Sequence, residues 1–271
     1  MPTLLCAISQ GLYPPWLDIM KEGQEKTWLL DPAPDNIEIV HFHGKTVNDF
    51  LYRLDQLHER IRWSNRHVYQ VLKSIDNFFL SPFKAFVPPV EESKSLKSRH
   101  QVLFVRFPDV YVTYRWKLLG LMNYFINRTN HDYLFTTTTA SYINLPVLSE
   151  KIKNLKSGDL YFGALPYRGA EFVSGSNRIL SRQTVQKILV AKKLWQPGVI
   201  EDLALGQLLS SIGIRPTFIP IVNISSLQEL EAYKAKDFAN NYHFRLKSGP
   251  NSNRNDIEIM RALHLKFGGV N

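Results

Sequence analysis

Residues 132–144 read DYLFTTTTASYIN, and the fold prediction starts from this pattern. The aromatic and β-branched residues of 133–137 predict a strand, the polar residues after them predict a turn, and a helix is expected next. Strand-type runs of the same kind recur on both sides of this stretch. They cover residues 4–9, 37–42, 102–105, 160–165 and 217–222.

Helical patterns lie between several of these runs. Residues 112–126 place Trp116, Leu119, Met122 and Ile126 at spacings of three and four, which predicts a helix with one apolar face. Strands that alternate with helices predict an α/β fold of Rossmann type, with a mixed, mostly parallel sheet and helices on both faces. In such sheets ligands bind beyond the carboxyl ends of the strands.

The chain is expected to form one unit over residues 1–271. Ser181 is predicted to cap the start of a helix, and Gly213 to end a helix over 203–212. The stretch 80–98 contains three prolines followed by charged residues, and it predicts a surface loop or lid.

Charge and cysteine content restrict the class of partner. The net charge of +9 suggests an anionic partner such as nucleic acid, lipid headgroups or a phosphorylated small molecule. Zinc-finger spacing, an RNA-recognition signature and a basic zipper are missing from the sequence, so no nucleic-acid partner is expected.

The one cysteine, Cys6, cannot form an internal disulfide, and no apolar run is long enough to span a membrane. We therefore expect a cytoplasmic protein, with peripheral contact at a membrane surface allowed by its basic balance.

Four segments in fixed order carry most of the functional information. They are DVYVTYRWK at 109–117, the stretch 132–144, FVSGSNRILSR at 172–182 and EDLALG at 201–206. Their order and spacing over roughly residues 105–215 resemble the β1,3-galactosyltransferase and Fringe family of GT-A glycosyltransferases. The resemblance implies a GT-A-like fold, with a nucleotide-binding half at about 1–140 and an acceptor-binding, catalytic half at about 141–271.

The same resemblance implies a reaction. Members of that family move a hexose from a nucleotide sugar to an acceptor hydroxyl and invert the anomeric centre, as part of carbohydrate biosynthesis. The expected partners are therefore a nucleotide-sugar donor, with uridine diphosphate as its carrier, and a glycan or glycolipid acceptor.

The sequence departs from that family at the acidic triplet that holds its metal. Thr138, Thr139 and Ala140 stand there, and threonine hydroxyls are poor ligands for Mg²⁺ or Mn²⁺. Asp132 is no replacement, because it precedes the strand at the edge away from the donor. We therefore expect no metal cofactor and a metal-independent reaction. The donor-side residues expected in this region are Lys117, Thr138, Thr139 and Ser141.

Basic side chains near the C-terminus are the candidates to replace the metal. In an extended segment His243, Arg245 and Lys247 project to one side, and Arg254 follows. Guanidinium and ammonium groups can stabilise a departing diphosphate, so we expect this cluster to bind it. The alternative is a solvated edge strand with ordinary surface charges.

Asp202 is the candidate catalytic base, because the resemblance places it on the second acidic position of the family motif. A base must take the proton of the attacking hydroxyl. The alternative is an acid that only stabilises a helix N-terminus. Glu201 is expected to support it or to contact the acceptor. Ser174 and Gly175 are expected along the donor and acceptor cleft, with a tight turn as the alternative.

Aromatic and histidine side chains near the first strands are weaker candidates. Tyr13 or Trp16 could stack on a base, or pack against neighbouring chain. His41 and His43 have no nearby cysteine or carboxylate in the sequence, so they are expected to be structural or near the acceptor.

Two other classes of function remain open. A carbohydrate- or nucleotide-binding protein could keep this fold without the reaction, as the lost acidic triplet suggests. A nucleotidyltransferase or sulfotransferase could use a similar sheet, but neither a P-loop nor a G-x-G-x-x-G motif occurs in the sequence.

Overall fold

The computed structural model describes residues 1–64, 66–93, 100–246 and 254–268. Within these residues the main sheet contains eight strands, which are β1 (Leu4–Ser9), β2 (Ile37–Lys45), β3 (Val90–Ser93), β4 (Gln101–Pro108), β5 (Tyr133–Thr138), β7 (Tyr161–Ala164), β8 (Asn177–Ser181) and β9 (Thr217–Ile219). A second, two-stranded sheet pairs β6 (Ser141–Ile143) with β10 (His243–Arg245).

The described α-helices are α1 (Trp16–Asp18), α2 (Asp49–Ser64), α3 (Arg66–Leu80), α4 (Tyr114–Arg128), α5 (Leu145–Lys153), α6 (Arg182–Ala191), α7 (Glu201–Ser211), α8 (Leu227–Ala232), α9 (Ala235–Asn240) and α10 (Asp256–Phe267). A π-helical turn over Ile19–Gly23 and a 3-10 turn over Gln24–Lys26 continue α1. Ser181 caps α6 as predicted, because its Oγ accepts a hydrogen bond from the backbone N of Thr184.

The strand order in the main sheet is β3-β4-β2-β1-β5-β8-β7-β9. The pairs β4–β2, β2–β1, β1–β5 and β7–β9 are parallel, whereas β3 and β8 run antiparallel to their neighbours. The predicted mixed, mostly parallel α/β sheet is therefore confirmed.

Helices cover both faces of this sheet, because successive residues of β1 belong to two different hydrophobic cores. Leu4 and Cys6 belong to one hydrophobic core with residues of α5 and α10, whereas Leu5 and Ala7 belong to a second core with residues of α4, α6 and α7. Because β1 is buried on both faces, it reads as a continuous apolar run rather than an alternating one.

Two sequence predictions were wrong at the level of elements. The stretch 80–98 was expected to form a loop or lid, but Val90–Ser93 forms the antiparallel edge strand β3, and residues 94–99 lie outside the described part. The run 217–222 forms a strand only over Thr217–Ile219. Among the described residues, no helix is both long and apolar enough to cross a bilayer.

Candidate functional site

A cleft of about 390 Å³ opens at the carboxyl ends of β1 and β5. Ser9 ends β1 and pairs in register with Thr138, which ends β5, and both residues line the cleft. β2 and β5 lie on opposite sides of β1. The cleft therefore lies beside β1, at the point where the strand order of the sheet changes direction. Open α/β sheets bind ligands at such points.

Most residues predicted for the site line this cleft. They are Lys117, Thr138, Thr139, Ser174, Gly175, Glu201, Asp202, Arg245 and Arg254. Ser141 and His243 do not line it, and Lys247 lies outside the described residues. The structure thus brings the acidic candidates and three of the basic candidates to one cavity, although they come from distant parts of the chain.

Gln24 holds the turn that follows β5. Its side chain is fully buried, and its Nε2 donates to the backbone O of Thr138 over 3.2 Å and of Ser141 over 3.1 Å. This amide fixes the backbone of the turn that includes Thr139 and Ala140, which also line the cleft. The turn is therefore shaped by a residue from the segment after β1.

Glu201 and Asp202 begin α7, and a buried arginine holds Glu201. The guanidinium of Arg178 is fully buried on β8, and it donates from Nη1 to Oε1 of Glu201 over 2.7 Å and from Nε to Oγ1 of Thr136 over 3.2 Å. Burial raises the pKa of Glu201 well above its usual range, while Arg178 opposes this rise and Asp202 adds to it. Glu201 therefore ionises less readily than an exposed glutamate.

Arg178 belongs to the surroundings of the candidate site, and no sequence pattern predicted it there. Burial acts to lower its pKa, but the carboxylates of Glu201 and Asp202 outweigh this effect and raise it above the ordinary value. The guanidinium thus stays charged where it contacts Glu201, which lines the cleft. No sequence signal pointed to Arg178, because nothing in its local pattern shows which acid it meets.

Gly175 lies directly against the two acids. A Cβ added there would be 2.3 Å from Oδ1 of Asp202 and 3.3 Å from Oε2 of Glu201. The neighbouring Ser174 is buried, and its carbonyl accepts from the N of Asn177 over 3.0 Å, which closes a tight turn. Both alternatives predicted for Ser174 and Gly175 therefore hold, because this segment forms a tight turn and also lines the cleft.

Arg245 differs from the other basic residues of the cleft wall. Its side chain is half-buried, and among the described residues its guanidinium has no hydrogen-bond or ion-pair partner. Burial lowers the pKa of Arg245, Asp202 raises it, and the nearby Arg254 lowers it again. Arg254 itself is paired with Asp256 and lies 4.6 Å from the centre of the Trp16 ring.

The remaining basic candidates of the described residues are paired with an acid or uncharged. Lys117 forms a buried ion pair with Asp109. His243 is buried and bonds through Nε2 to Oγ of Ser141 over 3.1 Å, and burial lowers its pKa to about 3. The structure therefore places His243 behind the cleft wall as a neutral ring rather than beside Arg245 as a cation.

The alternative of a solvated edge strand in this segment is contradicted for the described residues of β10. His243, Phe244 and Leu246 are all buried. β10 pairs with β6, and the backbone of Arg245 also bonds to Val222 and Ile224. Arg245 is thus presented to the cleft from a packed strand.

Helix α2 supplies one wall of the cleft through Tyr52, Asp55 and Gln56, which the sequence analysis did not consider. Tyr52 stacks on Tyr13 with ring centres 4.0 Å apart. Asp55 accepts from the backbone N of Tyr111 over 2.9 Å, and burial raises its pKa although this bond lowers it. Tyr13 therefore packs against another side chain of the protein, which is one of the two alternatives predicted for it.

The residues described around the cleft do not offer a carboxylate cage for a metal ion. Among the described residues, no group of three or more histidine, cysteine, aspartate or glutamate side chains is placed to hold a metal. The turn after β5 presents Thr138, Thr139 and Ala140 in place of the acidic triplet. These residue types do not fit Mg²⁺ or Mn²⁺.

Two glycosyltransferases of known structure are similar to this chain. The glycosyltransferase GlyE of Streptococcus pneumoniae TIGR4 aligns with a TM-score of 0.43 and 8% identity over 98% of this chain, which spans only 61% of the GlyE chain. Mouse xyloside xylosyltransferase 1 aligns with a TM-score of 0.40 and 9% identity over 90% of this chain and 97% of its own. Neither a family model nor a curated protein sequence matches the chain. Similarity this low assigns the chain to neither protein's family.

The chemistry available in the cleft follows from its own residues. Asp202 provides a carboxylate at the cavity, and Arg245 provides a positive charge close enough for each to influence the other. A carboxylate can accept a proton, and a guanidinium can stabilise a phosphate oxygen. The cleft can therefore combine general-base and anion-binding roles.

Proposed function

We propose that this protein is an inverting, metal-independent glycosyltransferase of GT-A type that uses a nucleotide-sugar donor. One observation carries the proposal: Asp202 and Arg245, which has no ion-pair partner among the described residues, lie on the same cleft at the carboxyl ends of β1 and β5. The choice of a hexose and of uridine diphosphate as carrier rests on the family resemblance of the four segments.

In the proposed reaction Asp202 takes the proton of the acceptor hydroxyl. The freed oxygen attacks the anomeric carbon, a new glycosidic bond forms, and the bond from that carbon to the diphosphate oxygen breaks. The nucleoside diphosphate leaves with the bonding electrons, and Arg245 stabilises its negative charge. The products are an inverted glycoside, a nucleoside diphosphate and a proton on Asp202.

The surrounding residues support these two roles. Arg178 holds Glu201, and the side chain of Glu201 interacts with that of the adjoining Asp202. Arg254 lies beside Arg245 but is already paired with Asp256. We therefore assign the main diphosphate contact to Arg245, with Arg254 as a secondary contact and the polar groups of Thr138 and Thr139 along the donor.

Binding and turnover with purified protein test the proposal. Uridine diphosphate affinity is measured by calorimetry for wild type, Arg245→Ala and Arg128→Ala, since Arg128 is exposed at the end of α4 and does not line the cleft. We expect Arg245→Ala to weaken affinity about tenfold or more, as loss of a charge-assisted contact does, and Arg128→Ala to leave it unchanged.

Turnover of a panel of sugar nucleotides is then measured with and without EDTA. We expect wild-type transfer to survive EDTA, and Asp202→Asn to lose at least about a hundredfold in turnover while keeping nucleotide affinity. Tight nucleotide binding without turnover of any donor would instead favour a carbohydrate- or nucleotide-binding protein. Equal affinity in wild type and Arg245→Ala would remove the diphosphate assignment.

A further inference from the structure

The helical hairpin formed by α2 and α3 exposes an unusual amount of apolar surface. Of the twenty large apolar side chains exposed among the described residues, eleven lie between residues 50 and 86. They are Phe50, Leu51, Leu54, Leu57, Ile61, Val71, Ile75, Phe78, Phe79, Phe83 and Phe86. Scattered single apolar residues are normal on a protein surface, but a concentration of this kind marks an interaction surface.

The exposed residues follow helical spacing. Phe50, Leu54 and Leu57 recur at intervals of four and three along α2, and Val71, Ile75 and Phe78 recur at the same intervals along α3. Each helix therefore has one apolar stripe that faces solvent. We call these residues, together with the adjacent Phe79, the hairpin stripe.

The other sides of both helices are attached to the body of the protein. Tyr52 and Asp55 of α2 line the cleft, and Asp55 bonds to the backbone of Tyr111. Asn77 of α3 accepts from the N of Gly198 over 3.1 Å. The hairpin stripe thus faces outward because other residues of the same helices pack inward.

The charge of the hairpin selects the kind of partner. Residues 49–86 contain the six basic residues Arg53, Arg60, Arg62, Arg66, Lys73 and Lys84 and the four acidic residues Asp49, Asp55, Glu59 and Asp76, a difference of +2. Two of the acids, Asp55 and Asp76, are buried, whereas Arg53 and Arg60 are exposed. Basic and aromatic side chains beside an exposed apolar stripe are typical of helices that lie in a membrane interface.

We propose that the hairpin stripe docks on the surface of an anionic phospholipid bilayer. Phe78 and Phe79 enter the boundary between headgroups and acyl chains, and Arg53 and Arg60 contact lipid phosphates. A second copy of this chain fits less well, because two molecules with a net charge of +9 each repel one another. If the proposed function holds, docking would bring the cleft beside α2 close to acceptors that are attached to lipid.

Vesicle flotation of the full chain tests this surface. Phosphatidylcholine vesicles are compared with vesicles that also contain phosphatidylserine. The stripe variant is Phe78→Ser with Phe79→Ser, whose side chains are 76% and 67% exposed, and the matched control is Val190→Ser with Leu265→Ser, which are 84% and 85% exposed. A third variant, Arg53→Glu with Arg60→Glu, tests the charge.

We expect wild type to bind the anionic vesicles at least about tenfold more tightly than the neutral ones, and less tightly as salt rises. The stripe variant should lose about tenfold or more in affinity, the charge variant should lose binding to anionic vesicles, and the control should match wild type. Because all these side chains are exposed, thermal unfolding should stay near wild type.

Other outcomes overturn the inference. They are failure of the wild type to bind anionic vesicles, equal losses in the stripe variant and the control, and a dimer that sedimentation detects and the stripe variant abolishes. Turnover of a water-soluble donor and acceptor is measured separately. Vesicle binding without turnover would leave this inference standing and remove the proposed function, and turnover without vesicle binding would do the reverse.

Discussion

Gly175 shows how one backbone position can control the catalytic candidate. Alanine at this position would place a Cβ 2.3 Å from Oδ1 of Asp202, and the short carboxylate can turn away more easily than the backbone can move. We expect Gly175→Ala to change the free energy of unfolding by no more than about 1 kcal/mol. Turnover should fall about a hundredfold, because the base is displaced from its geometry.

The control for this experiment is Gly169→Ala. Gly169 has a positive φ of 85°, and no atom of the described residues lies within 4 Å of an added Cβ, so this variant strains the backbone. Steady-state kinetics and denaturant unfolding are measured on both variants. Full turnover in Gly175→Ala would show that Asp202 is not the base, or that its position is not set by this glycine.

His41 gives the protein a pH-dependent stability. Its ring is buried, and neither nitrogen has a hydrogen-bond partner in the part of the chain that the structure describes. Burial, together with the charges of His100 and His43, lowers its pKa to about 3. Unfolding restores a pKa near 6.5, so the unfolded chain binds a proton that the folded chain does not, and stability falls as pH drops below about 6.5.

We therefore expect the free energy of unfolding of His41→Leu to rise relative to that of wild type as the pH falls. The difference in unfolding free energy should increase by about 2 kcal/mol between pH 7 and pH 5, because wild type alone carries the cost of this titration. Denaturant unfolding at both pH values measures it. A difference that stays constant with pH would mean that His41 titrates normally in the folded protein.

The sequence indicated candidate residues for the site where they belong to an ordered motif or to a strand alternation. Asp202 and Gly175 came from such motifs, and Arg245 came from a strand alternation. Arg178 could not be predicted, because its role depends on Glu201, which is far along the chain. The error on His243 has a similar cause, since the depth of β10 depends on packing rather than on local pattern.

At the level of elements, the turn between β5 and β6 depends on a distant side chain. Replacing Gln24 with leucine removes the donor that both backbone carbonyls of the turn share. We expect Gln24→Leu to lower the free energy of unfolding by about 2 kcal/mol, because buried acceptors are left without partners. Nucleotide affinity should fall as well, since Thr138 and Thr139 line the cleft.

Gln186→Leu is the matched control, because Gln186 is exposed on α6. It should leave both quantities near wild type. Denaturant unfolding and nucleotide titration measure the two variants side by side. If Gln24→Leu weakened neither stability nor nucleotide affinity, the turn would be held by other contacts.

The elements that sequence predicted well are those with a strong local pattern. The buried strands β1 and β5 and helix α4 were located to within a few residues. The strand β3 was missed because prolines and charged residues around it resemble a loop, and an edge strand needs little apolar content. The hairpin of α2 and α3 was not predicted at all, although its apolar residues have helical spacing.

At the scale of the whole molecule, the two proposed halves share one sheet and two cores. β5 ends the first half and pairs with β8 of the second through five registered residues, from Tyr133 with Ser181 to Thr137 with Asn177. One core joins Leu118 with Leu205, and the other joins Phe135 with Leu148. Each half therefore buries part of its apolar surface against the other.

We therefore predict that residues 1–271 unfold as one cooperative unit and that a fragment of residues 1–140 does not fold alone. The fragment would expose the edge of β5 and the apolar face of α4, both of which the second half covers. Calorimetry of the full chain should give equal calorimetric and van't Hoff enthalpies, and the fragment should show no cooperative transition. Two separate transitions, or a folded fragment, would mean that the halves are independent domains and that the cleft is formed by their association.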